Sequence, residues 1–226
     1  MDLVQPTVSI VGAGPAGFTL AAGLQSHGRS VLLYSHPTHL RHVNHLRKQN
    51  GHLLRAIGLM EGSTSLRITS DMSEVVAFSQ IIILTVPSTG QETVLHELKC
   101  FSLVRHIIVA IPGNLFSLVA DSMGVEVGCI FETNLSPYSC RINEEGEGEP
   151  MVLGKKERIF ISPATCLKWC SSVVEVCLSN VNGVFHPLMM LINAGRIESS
   201  DEDHFLLYRD GLTPSVANAM LAVDHM

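Results

Sequence analysis

Gly12-Ala13-Gly14-Pro15-Ala16-Gly17 is the first set of residues whose types and spacing can do chemistry. It follows the β-branched run Thr7-Val8-Ser9-Ile10-Val11 and opens an apolar helical pattern that begins at Phe18. A G-x-G-x-x-G placed between a strand and a helix is a dinucleotide-binding fingerprint. Gly12 permits the tight turn, and Gly14 lets the backbone approach a pyrophosphate. Gly17 lets the helix pack close to the strand, while free N–H groups of its first turn face the negative charge. Ala13, Pro15 and Ala16 complete the loop. The alternative is a glycine-rich turn that holds no ligand.

The form of the dinucleotide is read at the end of the next strand, where NAD enzymes place an Asp or Glu against the ribose hydroxyls. Here the chain has Tyr34-Ser35-His36, with Arg41 shortly beyond. Without a carboxylate there is no repulsion against a 2′-phosphate. Ser35 can donate to that phosphate and Arg41 can neutralise it, so NADP is the expected cofactor. NAD stays open if Arg41, His42 and His45 are only a solvated helix face. Val86-Pro87-Ser88-Thr89 and Ile111-Pro112-Gly113-Asn114 end two central strands, where ligands of open α/β sheets gather. Val86 and Pro87 are expected to line the nicotinamide side; Pro87 and Gly113 also serve simply as turn residues.

His186 is the ionisable residue of most interest, in Asn182-Gly183-Val184-Phe185-His186-Pro187. Hydride reduction of a carbonyl or imine needs a proton donor beside the reacting carbon, and histidine suits that task near neutral pH. Asn182 stands four residues earlier and shares a face with His186 if the helix is continuous. Spacing alone favours a structural histidine, since the chain has ten others.

These residues need a scaffold. Strands are expected at Thr7–Val11, Ser30–Tyr34, Ser65–Thr69, Gln80–Val86, His106–Ile111 and Val125–Phe131. Helices are expected at Pro15–His27, His39–Lys48, Ser73–Phe78, Gln91–Leu98 and Asn114–Met123. Gln80 to Val86 is apolar on both faces, as in a parallel sheet covered by helices. The alternation specifies an α/β fold, a Rossmann-type doubly wound parallel sheet. Arg141 to Pro150 is acidic and glycine-rich, hence a turn or mobile loop. Met151–Leu153 and Arg158–Ser162 flank Gly154-Lys155-Lys156 and read as a hairpin or paired antiparallel strands. Ser172–Leu178 reads as one more strand, and the pattern from Val181 is helical. Two domains are expected, 1–179 for the dinucleotide and 180–226 as the incomplete beginning of an α-helical domain for substrate binding or dimerisation.

Composition narrows the class. Of the 226 residues 46% are hydrophobic and 16% charged, enough for a packed core. The net charge of −6 without long like-charge runs argues against a nucleic-acid or membrane-surface partner. No stretch approaches the ~20 apolar residues of a membrane span. Six scattered cysteines form no zinc set, so no metal is expected, and they read as reduced thiols of a soluble cytoplasmic protein.

Three ordered segments resemble the opine dehydrogenases of the octopine and nopaline type. The first is the glycine motif, which many families share. The second, Glu132-Thr133-Asn134-Leu135-Ser136-Pro137-Tyr138-Ser139-Cys140-Arg141 followed by Gly154-Lys155-Lys156, is similar to the family's Tyr-x-Cys-Arg core with its downstream Gly-x-Lys. The third runs from Asn182-x-x-x-His186-Pro187 through Asn193-x-Gly195-Arg196-Ile197-Glu198 to Tyr208-x-x-Gly211-Leu212-Thr213-Pro214-Ser215-Val216. The resemblance implies reductive condensation of an amino acid with a 2-oxo acid by NAD(P)H. It implies His186 as general acid/base and Asn182 as a substrate ligand. The family pairs its histidine with a distant downstream aspartate; Asp224 is too near His186 to take that role. The helical domain is therefore expected to be cut short, and its apolar face could support a homodimer. The alternatives are a ketopantoate-reductase or glycerol-3-phosphate-dehydrogenase type enzyme, or a cofactor-binding module without turnover. The absence of lysine after Lys168 counts against the two enzymes.

Overall fold

The computed structural model describes residues 7–48, 53–143, 149–157, 159–163 and 181–183. Twelve strands and five helices run in the order β1 (Thr7–Val11), α1 (Pro15–Ser26), β2 (Ser30–Tyr34), α2 (Arg41–Lys48), β3 (Leu53–Gly58), β4 (Gly62–Ser65), β5 (Arg67–Thr69), α3 (Met72–Phe78), β6 (Ile81–Leu84), α4 (Ser88–Leu98), β7 (Leu103–Ala110), α5 (Phe116–Ser122), β8 (Val127–Thr133), β9 (Tyr138–Ile142), β10 (Pro150–Lys155), β11 (Ile159–Pro163) and β12 (Val181–Gly183) among the described residues. The chain divides into two compact units, Met1–Val184 and Phe185–Met226. The second unit, with the expected helical domain and His186, lies outside the described residues, as does the strand expected at Ser172–Leu178.

The large sheet has the order β12-β11-β8-β7-β6-β1-β2-β5. The six strands from β8 to β5 are mutually parallel. Their order, with β1 and β6 adjacent at the centre, is that of a Rossmann fold, and the order in which strands are added reverses at the β1–β6 boundary. Successive residues of each strand enter opposite cores. Val8 and Ile10 join Phe18, Val43 and Leu46 on the α1–α2 side. Val11 joins Val75, Leu95 and Phe116 on the side of α3, α4 and α5. The sheet is thus wound on both faces, as its two-faced apolar strands require. β11 adds antiparallel to β8, and β12 adds parallel to β11.

A second sheet, β4-β3-β10-β9, covers the outside of α1. It explains why Gly17 to Leu24 are all buried: α1 is flanked on both sides. Leu54, Ala56 and Val152 point inward from β3 and β10. The hairpin expected across Gly154-Lys155-Lys156 is not formed. β10 runs through Gly154 and Lys155, with a bulge after Val152, and pairs with β9 and β3. β11 belongs to the large sheet instead. Burying Val152 under α1 and Ile159 and Ile161 in the large sheet separates the two strands. The loop expected over Arg141–Pro150 is likewise shorter, since β9 reaches Ile142 and β10 begins at Pro150.

Among the described residues no helix is long and apolar enough to cross a membrane. No group of three or more potential metal ligands occurs among them either. Cys100 and Cys140 are free thiols.

Candidate functional site

Gly12 leaves β1 with φ +122°, a left-handed conformation that favours glycine, and its N–H bonds the Tyr34 carbonyl at 3.1 Å. Thr85, at the end of β6, locks the turn from the other side of the boundary. Its hydroxyl donates to the Gly12 carbonyl at 3.0 Å, and its N–H donates to the Val11 carbonyl at 2.8 Å. Gly17 lies against the turn so closely that a Cβ would collide with the Gly12 carbonyl oxygen. Gly14 differs from both. A Cβ there would meet nothing within 4 Å, and its backbone is extended at φ −107° and ψ −172°. Protein packing therefore does not require glycine at this position, whereas a ligand lying against the backbone would.

α1 begins at Pro15 with Gly14 as its N-cap, and no side chain caps it. Phe18 N–H bonds the Gly14 carbonyl at 2.9 Å. The N–H groups of Ala16 and Gly17 have no acceptor within the helix, and the first turn carries no acidic residue. Residues 12 to 16 are partly exposed. Open space over Gly14, unused N–H groups and the positive end of α1 fit an anionic pyrophosphate.

At the end of β2 the outcome is different for each sequence candidate. Ser35 is 2% exposed and its hydroxyl donates to the His39 carbonyl at 3.0 Å, so this proton holds the loop. Arg41 opens α2 and is exposed, and no described residue forms an ion pair with it. A carboxylate absent from β2 arrives from α4: Glu97 accepts from the Tyr34 hydroxyl at 2.6 Å and pairs with His36 Nε2 at 3.1 Å. Burial, then the bond to Glu97, pushes the Tyr34 phenol well above the usual tyrosine range. Thr38 N–H reaches His36 Nδ1 at 3.2 Å, and Thr38 Oγ1 lies 2.9 Å from His39 Nδ1. The loop from Ser35 to Arg41 is therefore tied internally and to α4.

Val86 is half-buried and Pro87 exposed beyond β6, with Pro87 as N-cap of α4. The next loop, after β7, is joined to this turn by Asn114 Nδ2 donating to Ser88 Oγ at 3.1 Å. The glycine turn, Val86-Pro87 and the β7–α5 loop all lie at the C-terminal edge of the parallel sheet. Asn182 is in β12, paired with Phe160. The helical register that would put Asn182 and His186 on one face does not hold, because 181–183 continue the sheet.

Thr85 and Glu97 are not among the residues marked in the sequence, and Glu132 is marked only as the first residue of the segment that resembles the opine dehydrogenases. Thr85 nevertheless carries a usable signal, a hydroxyl directly after a central strand. Glu97 and Glu132 carry no signal of their contacts, since their partners are distant in sequence. The Tyr138-x-Cys140-Arg141 segment forms β9 and braces α1: a Cβ on Gly23 would stand 3.1 Å from the Tyr138 hydroxyl. Burial pushes the Tyr138 phenol and the Cys140 thiol up, the latter opposed by a hydrogen bond to Thr19.

Comparison with known proteins gives two family matches. Residues 7–119 match the NAD-dependent glycerol-3-phosphate dehydrogenase N-terminus, and residues 169–225 match the α-helical domain of NAD/NADP octopine/nopaline dehydrogenase. An opine dehydrogenase of Arthrobacter sp. (strain 1C) is 24% identical over 96% of this chain and 65% of its own length. Octopine dehydrogenase solved with NADH and L-arginine superposes with a TM-score of 0.68 at 20% identity, covering 93% of this chain and 55% of that one. Its structure with NADH and pyruvate gives 0.67 at 19%, covering 92% and 57%. The chain thus spans somewhat more than half the length of these relatives. At such identities the structural likeness concerns the fold. Through residues 7–119, half of its length, the chain belongs to the family of the NAD-dependent glycerol-3-phosphate dehydrogenase N-terminus, and through residues 169–225 it is similar to the α-helical domain of the octopine/nopaline dehydrogenases.

Proposed function

We propose that this chain binds NADP(H) at the β1–β6 boundary and serves the reductive condensation of an amino acid with a 2-oxo acid. The observation that carries the reading is the open space over Gly14 beside the uncapped start of α1. A bound dihydronicotinamide supplies a hydride to the substrate carbon. Everything else falls to the chain. Ala16 and Gly17 N–H groups hold the pyrophosphate, and Ala13 and Pro15 shape the turn around it. Arg41 neutralises the 2′-phosphate on the adenosine side, while Ser35 fixes the loop that presents Arg41. Val86 and Pro87 flank the nicotinamide side.

The substrates follow the octopine dehydrogenases. Octopine dehydrogenase has been solved with L-arginine and with pyruvate, an amino acid and a 2-oxo acid. Attack of the amine on the ketone carbonyl releases water and gives an imine. Hydride addition at carbon and a proton at nitrogen complete a secondary amine carrying two carboxylates. Asn182 orients substrate, and His186 transfers the protons. The test is NADPH oxidation with a 2-oxo acid, with and without an amino acid, with product mass measured. Oxidation that needs both substrates, and falls about 10²–10⁴-fold in His186→Asn, is expected. Oxidation with the oxo acid alone, giving a hydroxy acid, overturns the proposal.

A further inference from the structure

Glu132 is a buried carboxylate that the chemistry above does not use. It stands one residue before the end of β8, paired with Ala110 of β7, and is 3% exposed. Its Oε2 accepts from Phe116 N–H at 3.1 Å. Its Oε1 accepts from Ser117 N–H at 2.9 Å and also from the Ser117 hydroxyl. A buried carboxylate needs such donors to offset lost hydration. Here they all come from the first turn of α5. The N-cap of that helix, Leu115, has no capping side chain, so Glu132 caps it from a neighbouring strand.

The loop between β7 and α5 rests on this carboxylate. A Cβ on Gly113 would collide with Glu132 Oε2 and Cβ. Gly113 N–H donates to the Thr133 carbonyl at 2.8 Å, and its carbonyl accepts from the buried Gln91 amide at 3.1 Å. Asn114 and Leu115 are both left-handed, at φ 51° and 64°, which non-glycine residues adopt only when their surroundings hold them there. Asn114 then reaches Ser88, just after Val86 and Pro87. Strand order puts β6 and β7 on one side of β1, and β2 with its Ser35–Arg41 loop on the other.

We infer that Glu132 is a positioning residue for the nicotinamide half of the cofactor site, fixing the Pro112–Leu115 loop without itself touching the ligand. The inference rests on the proposed cofactor reading of the β1–β6 boundary. Its signature is selectivity between the two halves of the dinucleotide. The experiment compares NADPH with 2′-phospho-ADP-ribose, which lacks only the nicotinamide ring, by calorimetric titration of native, Glu132→Gln and Ser117→Ala protein. In Glu132→Gln, NADPH affinity should fall about tenfold while affinity for 2′-phospho-ADP-ribose stays within about twofold. Ser117→Ala removes one donor and keeps the carboxylate, so it should shift the ratio the same way by about threefold. Parallel loss of both ligands, or no change in either variant, overturns the positioning role. If Glu132→Gln does not fold, the Ser117→Ala ratio decides. Failure of the native chain to bind either ligand would overturn the cofactor reading itself.

Discussion

Replacing Gly14 with valine should remove the dinucleotide and leave the protein folded. The site tolerates a side chain, because its extended backbone is open to valine and a Cβ meets no atom within 4 Å. Gly14 is an N-cap without a side-chain bond, so the cost to α1 is the difference between glycine and valine at that position, about 1 kcal/mol at most. In a domain of this size that lowers Tm by roughly 2–4 °C. Binding suffers more. The valine methyl groups occupy the space through which a pyrophosphate approaches Ala16 and Gly17 N–H. Hydrogen bonds to a charged group contribute about 1.5–3 kcal/mol each, so loss of two weakens binding roughly 10²–10⁴-fold. Fluorescence titration with NADPH, run beside a thermal melt, reads both quantities. Native affinity in Gly14→Val, or a collapse of Tm, would refute the reasoning.

Gly17→Ala should do the reverse and damage the fold, on the order of 3 kcal/mol or more, because its Cβ collides with backbone; an unchanged melting curve contradicts this. Arg41→Ala should weaken NADPH by about 1–3 kcal/mol and spare NADH, read by titrating both cofactors. Equal losses would return Arg41 to a solvated helix face. Tyr34→Phe tests the Glu97 contact. Burial and Glu97 raise the Tyr34 proton affinity in the folded state, so its contribution is full below about pH 10 and declines as pH rises above that value. The variant should lose about 1 kcal/mol near neutrality and show a shallower alkaline fall in Tm between about pH 9 and 12. An alkaline limb identical to native would contradict the assignment.

The parts legible in the sequence are those whose physics is local. β1, the glycine turn and α1 are contiguous, and each glycine has a separate steric reason to be there. The two-faced burial of β6 shows in Ile81 to Leu84 as an unbroken apolar run. The second sheet was illegible because Leu53–Gly58 pairs with Pro150–Lys155 across almost a hundred residues of sequence, and few side chains are buried there. Arg55 and Leu53 are exposed on that strand, which weakens the apolar signal. The same holds for the carboxylates. Glu97 reads as an ordinary polar residue of an amphipathic helix, yet its partner Tyr34 is 63 positions away. Glu132 reads as the polar end of a strand, and only the folded chain brings Phe116 and Ser117 onto it. Asn182 was placed on a helix because three residues are too short a run to display strand alternation.

The most direct measurement is a crystal structure of this chain grown with NADPH. The account predicts the pyrophosphate over Gly14, within hydrogen-bond reach of the Ala16 and Gly17 N–H groups. It predicts the adenosine end towards Arg41, and the nicotinamide between Val86-Pro87 and the Pro112–Leu115 loop. Density for the cofactor anywhere other than the β1–β6 boundary, or an adenosine end pointing away from α2, would contradict it.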